Sequence, residues 1–281
     1  MLFLVIFCII LFFYLHVYFH LKVNNDLEIL ELENELTKDK LSNICDLRQP
    51  LLFYYDSPEI LKNFSKDYLT KEHKTIDLKI RNKSDKEFID LPLQFKLCDD
   101  LFSKDTSSNY ISSQNYEFLK ESGLIKKLKP FDLFLKPSLT CKTDYDVLTG
   151  SENASTFPEY KLSYRNFLYA TNNSVNITLY PPKEHKNIDI EKDYDKFLFY
   201  ANDVSKGKDK LELTLLEGQM LFIPSYWVYE IRYTKDSIVL QIEYFTFMNL
   251  LSIIPDLILS FLQKQNIKIN TIPTYSNKID S

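Results

Sequence analysis

The sequence predicts a mainly β domain, a sandwich or barrel with flanking helices, carried behind an N-terminal transmembrane helix. Three observations carry this expectation. Leu2 to Phe19 (LFLVIFCIILFFYLHVYF) contains no charged side chain, and at about 1.5 Å per residue it is long enough to cross most of a hydrocarbon core. In the C-terminal half, short runs with apolar residues at every second position recur between turn residues, the pattern of strands with one wet and one dry face. The chain has 281 residues, 45% hydrophobic and 26% charged, an ordinary balance and enough for one large domain or two small ones.

Residues 1–20 are expected to form the anchor. A cleavable signal peptide would want a basic start and small residues at the cleavage site, and Tyr18-Phe19-His20-Leu21-Lys22 supplies no such site. The flanking positive charges Lys22, Lys38 and Lys40 all follow the segment, which places the domain on the cytoplasmic side by the positive-inside rule. Asn63, Asn82, Asn153, Asn172 and Asn176 each begin an N-x-Ser/Thr sequon, relevant only to a lumenal domain and expected by chance in a chain this rich in Asn, Ser and Thr.

Residues 21–44 read as a stalk. Acids gather at Asp26, Glu28, Glu31, Glu33 and Glu35, and Lys38 and Lys40 follow, as the dipole of a helix from Asp26 to Ile44 would favour. Leu27, Leu30, Leu41 and Ile44 would give that helix one apolar stripe. The β domain is expected over residues 45–265, with a tail at 266–281. Leu51 to Tyr55 and Thr75 to Ile80 are strand-like, whereas Ser57 to Asn63 and Asn115 to Leu124 are helix-like. Tyr164 to Ala170 and Ser174 to Tyr180 form two β-type runs joined at Asn172-Asn173, residues that tolerate the left-handed conformations of a tight hairpin. Leu211 to Leu216, a turn at Glu217-Gly218, Met220 to Pro224, Trp227 to Tyr233 and Ile238 to Phe245 continue the alternation. Phe247 to Gln265 reads as an amphipathic helix that Pro255 starts or kinks, packing on the barrel or on a second copy as a homodimer contact.

Composition excludes several functions. With 34 Lys and Arg against 39 Asp and Glu the net charge is -5, and one short lysine cluster (Lys120, Lys126, Lys127, Lys129) is too little for a nucleic-acid surface. The four glycines, Gly123, Gly150, Gly207 and Gly218, stand apart, so phosphate-cradling loops are excluded. His16 and His20 lie in or beside the apolar segment, leaving His73 and His185, each between charged neighbours and read as solvated. Cys45, Cys98 and Cys141 have no zinc spacing and read as reduced, mostly buried thiols.

The run Glu217 to Ile231, EGQMLFIPSYWVYEI, resembles the late strand pair of JmjC and cupin-like hydroxylases of the factor-inhibiting-HIF type, where Gly-Asp-x-Leu-Phe-Ile-Pro-Pro-x-Trp-Trp-His is usual. Tyr164 to Pro182 looks like the same family's earlier hairpin, with Asn166-Phe167 at its start and Leu179, Pro181 and Pro182 at its close. Cys45 to Phe53 resembles its opening strand. The resemblance covers roughly Ile44 to Gln265 and comes nearest to cupin-like proteins of large DNA viruses, some of which carry an N-terminal membrane segment. It implies a double-stranded β-helix, or jelly roll. It also implies a site for Fe(II) and 2-oxoglutarate, built from His-x-Asp…His with a lysine for the cosubstrate.

Residue by residue that site is degenerate. Aligned on Thr156-Phe157-Pro158, the His-x-Asp positions hold Glu159 and Lys161; aligned on Asn166-Phe167, they hold Tyr160 and Leu162. The distal histidine falls on Tyr229 and the cosubstrate lysine on Val175. An iron site of this kind needs two neutral imidazoles with one carboxylate, and neither register supplies them. The expected function is therefore a non-catalytic binding or scaffold module without cofactor, with Asn166, Tyr226 and Trp227 lining the old pocket. A hydroxylase using Fe(II) and 2-oxoglutarate through Glu159 and Tyr229, and a structural membrane or virion protein, are the alternatives.

Overall fold

The computed structural model describes residues 1–32, 36–84 and 90–267. Helix α1 (Leu2–Leu21) leads into a short strand, β1 (Leu30–Leu32), and helix α2 (Lys38–Cys45). Strand β2 (Leu51–Tyr54), helices α3 (Pro58–Asn63) and α4 (Lys66–Glu72), strands β3 (Asp77–Asn82) and β4 (Leu91–Gln94), helix α5 (Phe95–Lys104) and strand β5 (Tyr110–Ser112) follow. Helices α6 (Tyr116–Glu121) and α7 (Ile125–Leu135) precede the strand-rich half. That half comprises β6 (Thr140–Gly150), β7 (Glu159–Tyr160), β8 (Arg165–Asn172), β9 (Val175–Tyr180), β10 (Asp189–Asp193), β11 (Leu198–Asp203), β12 (Leu211–Leu215), β13 (Gln219–Ile223), β14 (Val228–Tyr233) and β15 (Ile238–Thr246). Helices α8 (Phe247–Ser252) and α9 (Ile254–Ile267) close the described chain.

Two antiparallel-rich sheets face each other. The larger has the order β1-β2-β13-β8-β15-β6-β5-β3-β4, and the smaller β10-β11-β7-β14-β9-β12. The turn from β8 into β9 uses Asn173 at φ 56, and the turn before β13 uses Gly218 at φ 82, left-handed conformations that suit these residue types. Period-two alternation divides each central strand of the larger sheet. Phe167, Tyr169, Phe222, Leu240, Ile242 and Tyr244 point outward onto a helical layer that includes Leu41, Phe64, Phe118, Leu128 and Phe131. Leu168, Ala170, Leu221, Ile223 and Val239 point inward, where they meet Val175, Ile177, Leu179, Ile231 and Tyr233 of the smaller sheet. Gly150 is needed where β6 passes Tyr233, because a Cβ there would stand 2.5 Å from that ring.

Of the stalk helix expected from Asp26 to Ile44, only the part from Lys38 onward forms, as α2; Asp26 to Leu32 is not helical, and Glu33 and Glu35 lie outside the described residues. Leu30 to Leu32 instead pair in parallel with β2, whose edge would otherwise be unpaired. Thr37 then caps α2 through Lys40 N–H at 3.3 Å. The segment lies against the domain: the Gln49 side chain donates to Glu28 O at 3.3 Å, and Lys183 N–H donates to Asn25 Oδ1 at 2.7 Å. Local charge patterning suited a helix, but the strand edge offered bonds that a free stalk would lack. Of the expected tail, residues 268–281 lie outside the described residues.

Phe167 is fully buried, its ring 5.5 Å from that of Phe222 and 6.2 Å from that of Tyr244. Phe167→Ala is expected to remove about 3–5 kcal/mol of stability, read as a lowered denaturation midpoint of the detergent-solubilised chain.

Candidate functional site

The space between the sheets has an apolar half and a polar half, set by successive inward positions on the same strands. Along β15 the inward residues run Val239, Gln241, Glu243; along β6 they run Leu148, Asp146; along β14 they run Tyr233, Ile231, Tyr229. At the polar end Tyr229 Oη donates to Glu159 Oε1 at 2.7 Å. Gln241 Nε2 donates to Tyr229 Oη and to Asn166 Oδ1, both at 2.9 Å. Lys161 Nζ lies 3.0 Å from Glu159 and 3.9 Å from Glu243. Asp146 accepts the backbone N–H groups of Gln114 and Asn115 at 2.6 Å and its neighbour Val147 at 2.8 Å. A cavity of about 360 Å³ opens beside Lys161, Gln241 and Glu243, with Tyr145, Tyr160 and Phe199 on its walls.

Thus Glu159, Lys161 and Tyr229 are brought together. Val175 is not with them: fully buried, it pairs with Leu215 and Tyr233 in the apolar half. Asn166 joins the cluster's edge through Gln241. Trp227 is buried among apolar side chains, its Nε1 without an acceptor. Tyr226, at φ 69, lies on the other side of β7 with its ring 6.1 Å from that of Tyr160. In the second register Tyr160 and Leu162 also turn to that outer side, in a cluster with Phe199 and Ile253.

Two sequence expectations are corrected. His185 is half-buried, with its Nε2 2.7 Å from Tyr226 O and its ring 4.9 Å from Tyr160; the short helical turn Pro182–Lys186 rotates it inward. His73 is also half-buried, between Tyr68 and Phe118. Neither contacts the polar cluster. The thiols of Cys45 and Cys98 are buried and pushed up to about 12 by that burial, whereas Cys141 is exposed.

Among the described residues no group of three or more His, Cys, Asp or Glu side chains is arranged to hold a metal, and both carboxylates nearest the aligned positions already face Lys161. Burial, then Glu159 and Glu243, push the Tyr229 phenol well above its usual range, which keeps it a neutral donor.

Gln241, Glu243 and Asp146 were not singled out from sequence. Their signal was present: Gln241 and Glu243 interrupt the otherwise apolar face of Ile238 to Phe245 at alternate positions. Burial raises Glu243 against the pull of Lys161, and it pushes Asp146 up to about 6 against its backbone donors. Burial alone would lower Lys161, but Glu159 and Glu243 outweigh it and the net shift is upward.

The sign of the pH dependence follows. Asp146 and Glu243 bind protons more tightly folded than unfolded, so both favour the folded state at low pH and lose that advantage as pH rises, Asp146 as it passes about 6. Lys161 contributes stability that is complete at neutral pH and lost only in strong alkali. Lys161→Met is expected to remove about 3–5 kcal/mol at pH 8 and to regain part of it at pH 5, where the stranded carboxylates protonate. Adding Glu159→Gln should restore part of the loss at pH 8 as well. Denaturation midpoints of the three chains at both pH values measure this.

In comparisons with known proteins, no family model and no curated protein matches the chain.

Proposed function

We propose that the chain is a membrane-anchored jelly-roll protein of the cupin and JmjC type, in which an internal ion pair replaces the metal centre, and that it acts as a non-catalytic binding or scaffold module. Strand order supports the jelly-roll reading. Taking β6, β7, β8, β9, β12, β13, β14 and β15 as eight strands in chain order, with β10 and β11 inserted between the fourth and the fifth, first, eighth, third and sixth are neighbours in the larger sheet. Second, seventh, fourth and fifth are neighbours in the smaller. That alternation between two sheets is what a double-stranded β-helix requires.

The observation that carries the non-catalytic reading is the place of Lys161 Nζ, between Glu159 and Glu243 and beside the Tyr229–Glu159 hydrogen bond. A divalent cation there would have to displace an ammonium that already neutralises the available carboxylates. The cavity beside this cluster, walled by aromatic rings and by polar groups, is an ordinary pocket for a small ligand or a partner's side chain.

Anchoring rests on α1, which among the described residues is the one helix long and apolar enough to cross a membrane. The positive flank Lys22, Lys38 and Lys40 supports a cytoplasmic domain. Two of the five sequon asparagines fit that side, since Asn63 is buried and Asn172 is held by Lys66 N–H at 3.1 Å and Asp236 O at 2.7 Å; Asn153 and Asn176 are exposed, so the glycosidase test reads on them.

Two measurements test the proposal. The full chain, purified in detergent without chelators, is expected to hold no stoichiometric iron, zinc or manganese and to convert 2-oxoglutarate to succinate no faster than a heat-killed sample. Stoichiometric metal, or turnover abolished by Glu159→Gln, would establish the hydroxylase alternative instead. In expressing cells the chain should stay in the membrane pellet after alkaline carbonate and show no mass change on glycosidase treatment; release by carbonate would remove the anchor, and a glycosidase shift would reverse the orientation.

A further inference from the structure

The end of α1 is built into the domain. His20 is buried, with its Nε2 3.4 Å from Thr246 Oγ1 and its ring 5.1 Å from that of Tyr164. The Arg48 guanidinium lies 4.6 Å from the Tyr164 ring centre and 5.5 Å from that of Phe19. Thr246 also caps α8 through Asn249 N–H at 3.2 Å, and α8 packs along α1. Helix α1 has 20 residues, or about 30 Å, against a hydrocarbon core of about 30 Å. With its last turn docked, no length remains for a spacer. The surface around that turn must meet the headgroups.

That surface is apolar. Helix α9 follows α8 directly and is amphipathic in the reverse sense from a water-facing helix. In its first turns the polar residues face the protein: Asp256 accepts from Tyr194 Oη at 3.1 Å, and Ser260 is buried, whereas Lys264 and Gln265 in the last turns are exposed. Outward it presents Ile254, Ile258, Leu259, Phe261 and Leu262, all at least 40% exposed, with Phe261 at 62%. Leu139, 78% exposed, joins the same surface because its carbonyl accepts Phe247 N–H at 3.1 Å, and Phe247 is itself exposed. Leu139 stands at φ 58, a conformation that a leucine rarely adopts and that suits a loop tip held by its surroundings.

We infer that the outer face of α9, with Phe247 and Leu139, lies in the boundary between headgroups and acyl chains of the bilayer that α1 crosses. The inference rests on the spanning reading of α1. It assigns α9 to lipid, whereas the sequence left it to the barrel or to a second copy. Continuity decides between these occupants: the apolar face begins at the residues that grip the anchor, and a helix lying in the interface buries such a face without a partner.

The test uses the full chain reconstituted in phosphatidylcholine vesicles, with and without lipids brominated near the headgroup end of the acyl chain. Trp227 is the single native tryptophan and is buried between the sheets, so the parent chain should lose little emission. Phe261→Trp, and independently Leu262→Trp, should lose added emission to brominated lipid as fully as Phe12→Trp within α1. Red-shifted, unquenched emission at both α9 positions would mean that the face meets water, and blue-shifted, unquenched emission that protein covers it. Either result, with Phe12→Trp quenched, overturns the inference and leaves the anchor standing. Failure of Phe12→Trp to be quenched overturns both.

Discussion

The charge balance inside the two-sheet interior is the constraint on which the site depends. Three carboxylates, Asp146, Glu159 and Glu243, share that space with one ammonium, that of Lys161. An isolated buried carboxylate costs several kcal/mol, so the arrangement persists only because each has partners: Lys161 for the two glutamates, and three backbone N–H groups for Asp146. Burial beside the two glutamates keeps the phenol of Tyr229 a donor, and Gln241 in turn donates to its oxygen. The network forms a polar floor beneath an open cavity.

The same interior explains why the rest of the space between the sheets is filled. Two residues up each strand from the polar end, side chains become apolar, and Val175 belongs to that half with Ile177, Ile231 and Tyr233. Polar cluster and apolar core are thus one continuous alternation with a change of residue type partway along, and the change sets the inner limit of the cavity.

At the other end of the chain, coupling between anchor and domain runs through Phe19, Arg48, Tyr164, His20 and Thr246. Cation–aromatic contacts and ring packing hold the helix end without a flexible linker. Helix α1 thereby meets the start of β8 and the end of β15, the strands that also carry Asn166, Gln241 and Glu243.

By itself the sequence determined the apolar first helix, the β character of the second half, the hairpin at Asn172-Asn173, the turn at Gly218 and the break near Pro255. Each depends on local physics: uninterrupted apolar length, period-two alternation, or the backbone freedom of particular residues. It also indicated that Glu159, Lys161 and Tyr229 belong to one site, through a resemblance carried by linear spacing. Tertiary structure alone decided the rest. Leu30 to Leu32 became a strand because β2 had an edge to fill, against a charge pattern suited to a helix. His185 turned inward because Tyr160 and the Tyr226 carbonyl were there to receive it. Gln241, Glu243 and Asp146 entered the site because two strands distant in sequence, β15 and β6, placed their polar residues at one level. The outward-facing apolar side of α9 was likewise invisible in its composition, since a helical pattern states which residues share a face and only packing states which way that face points.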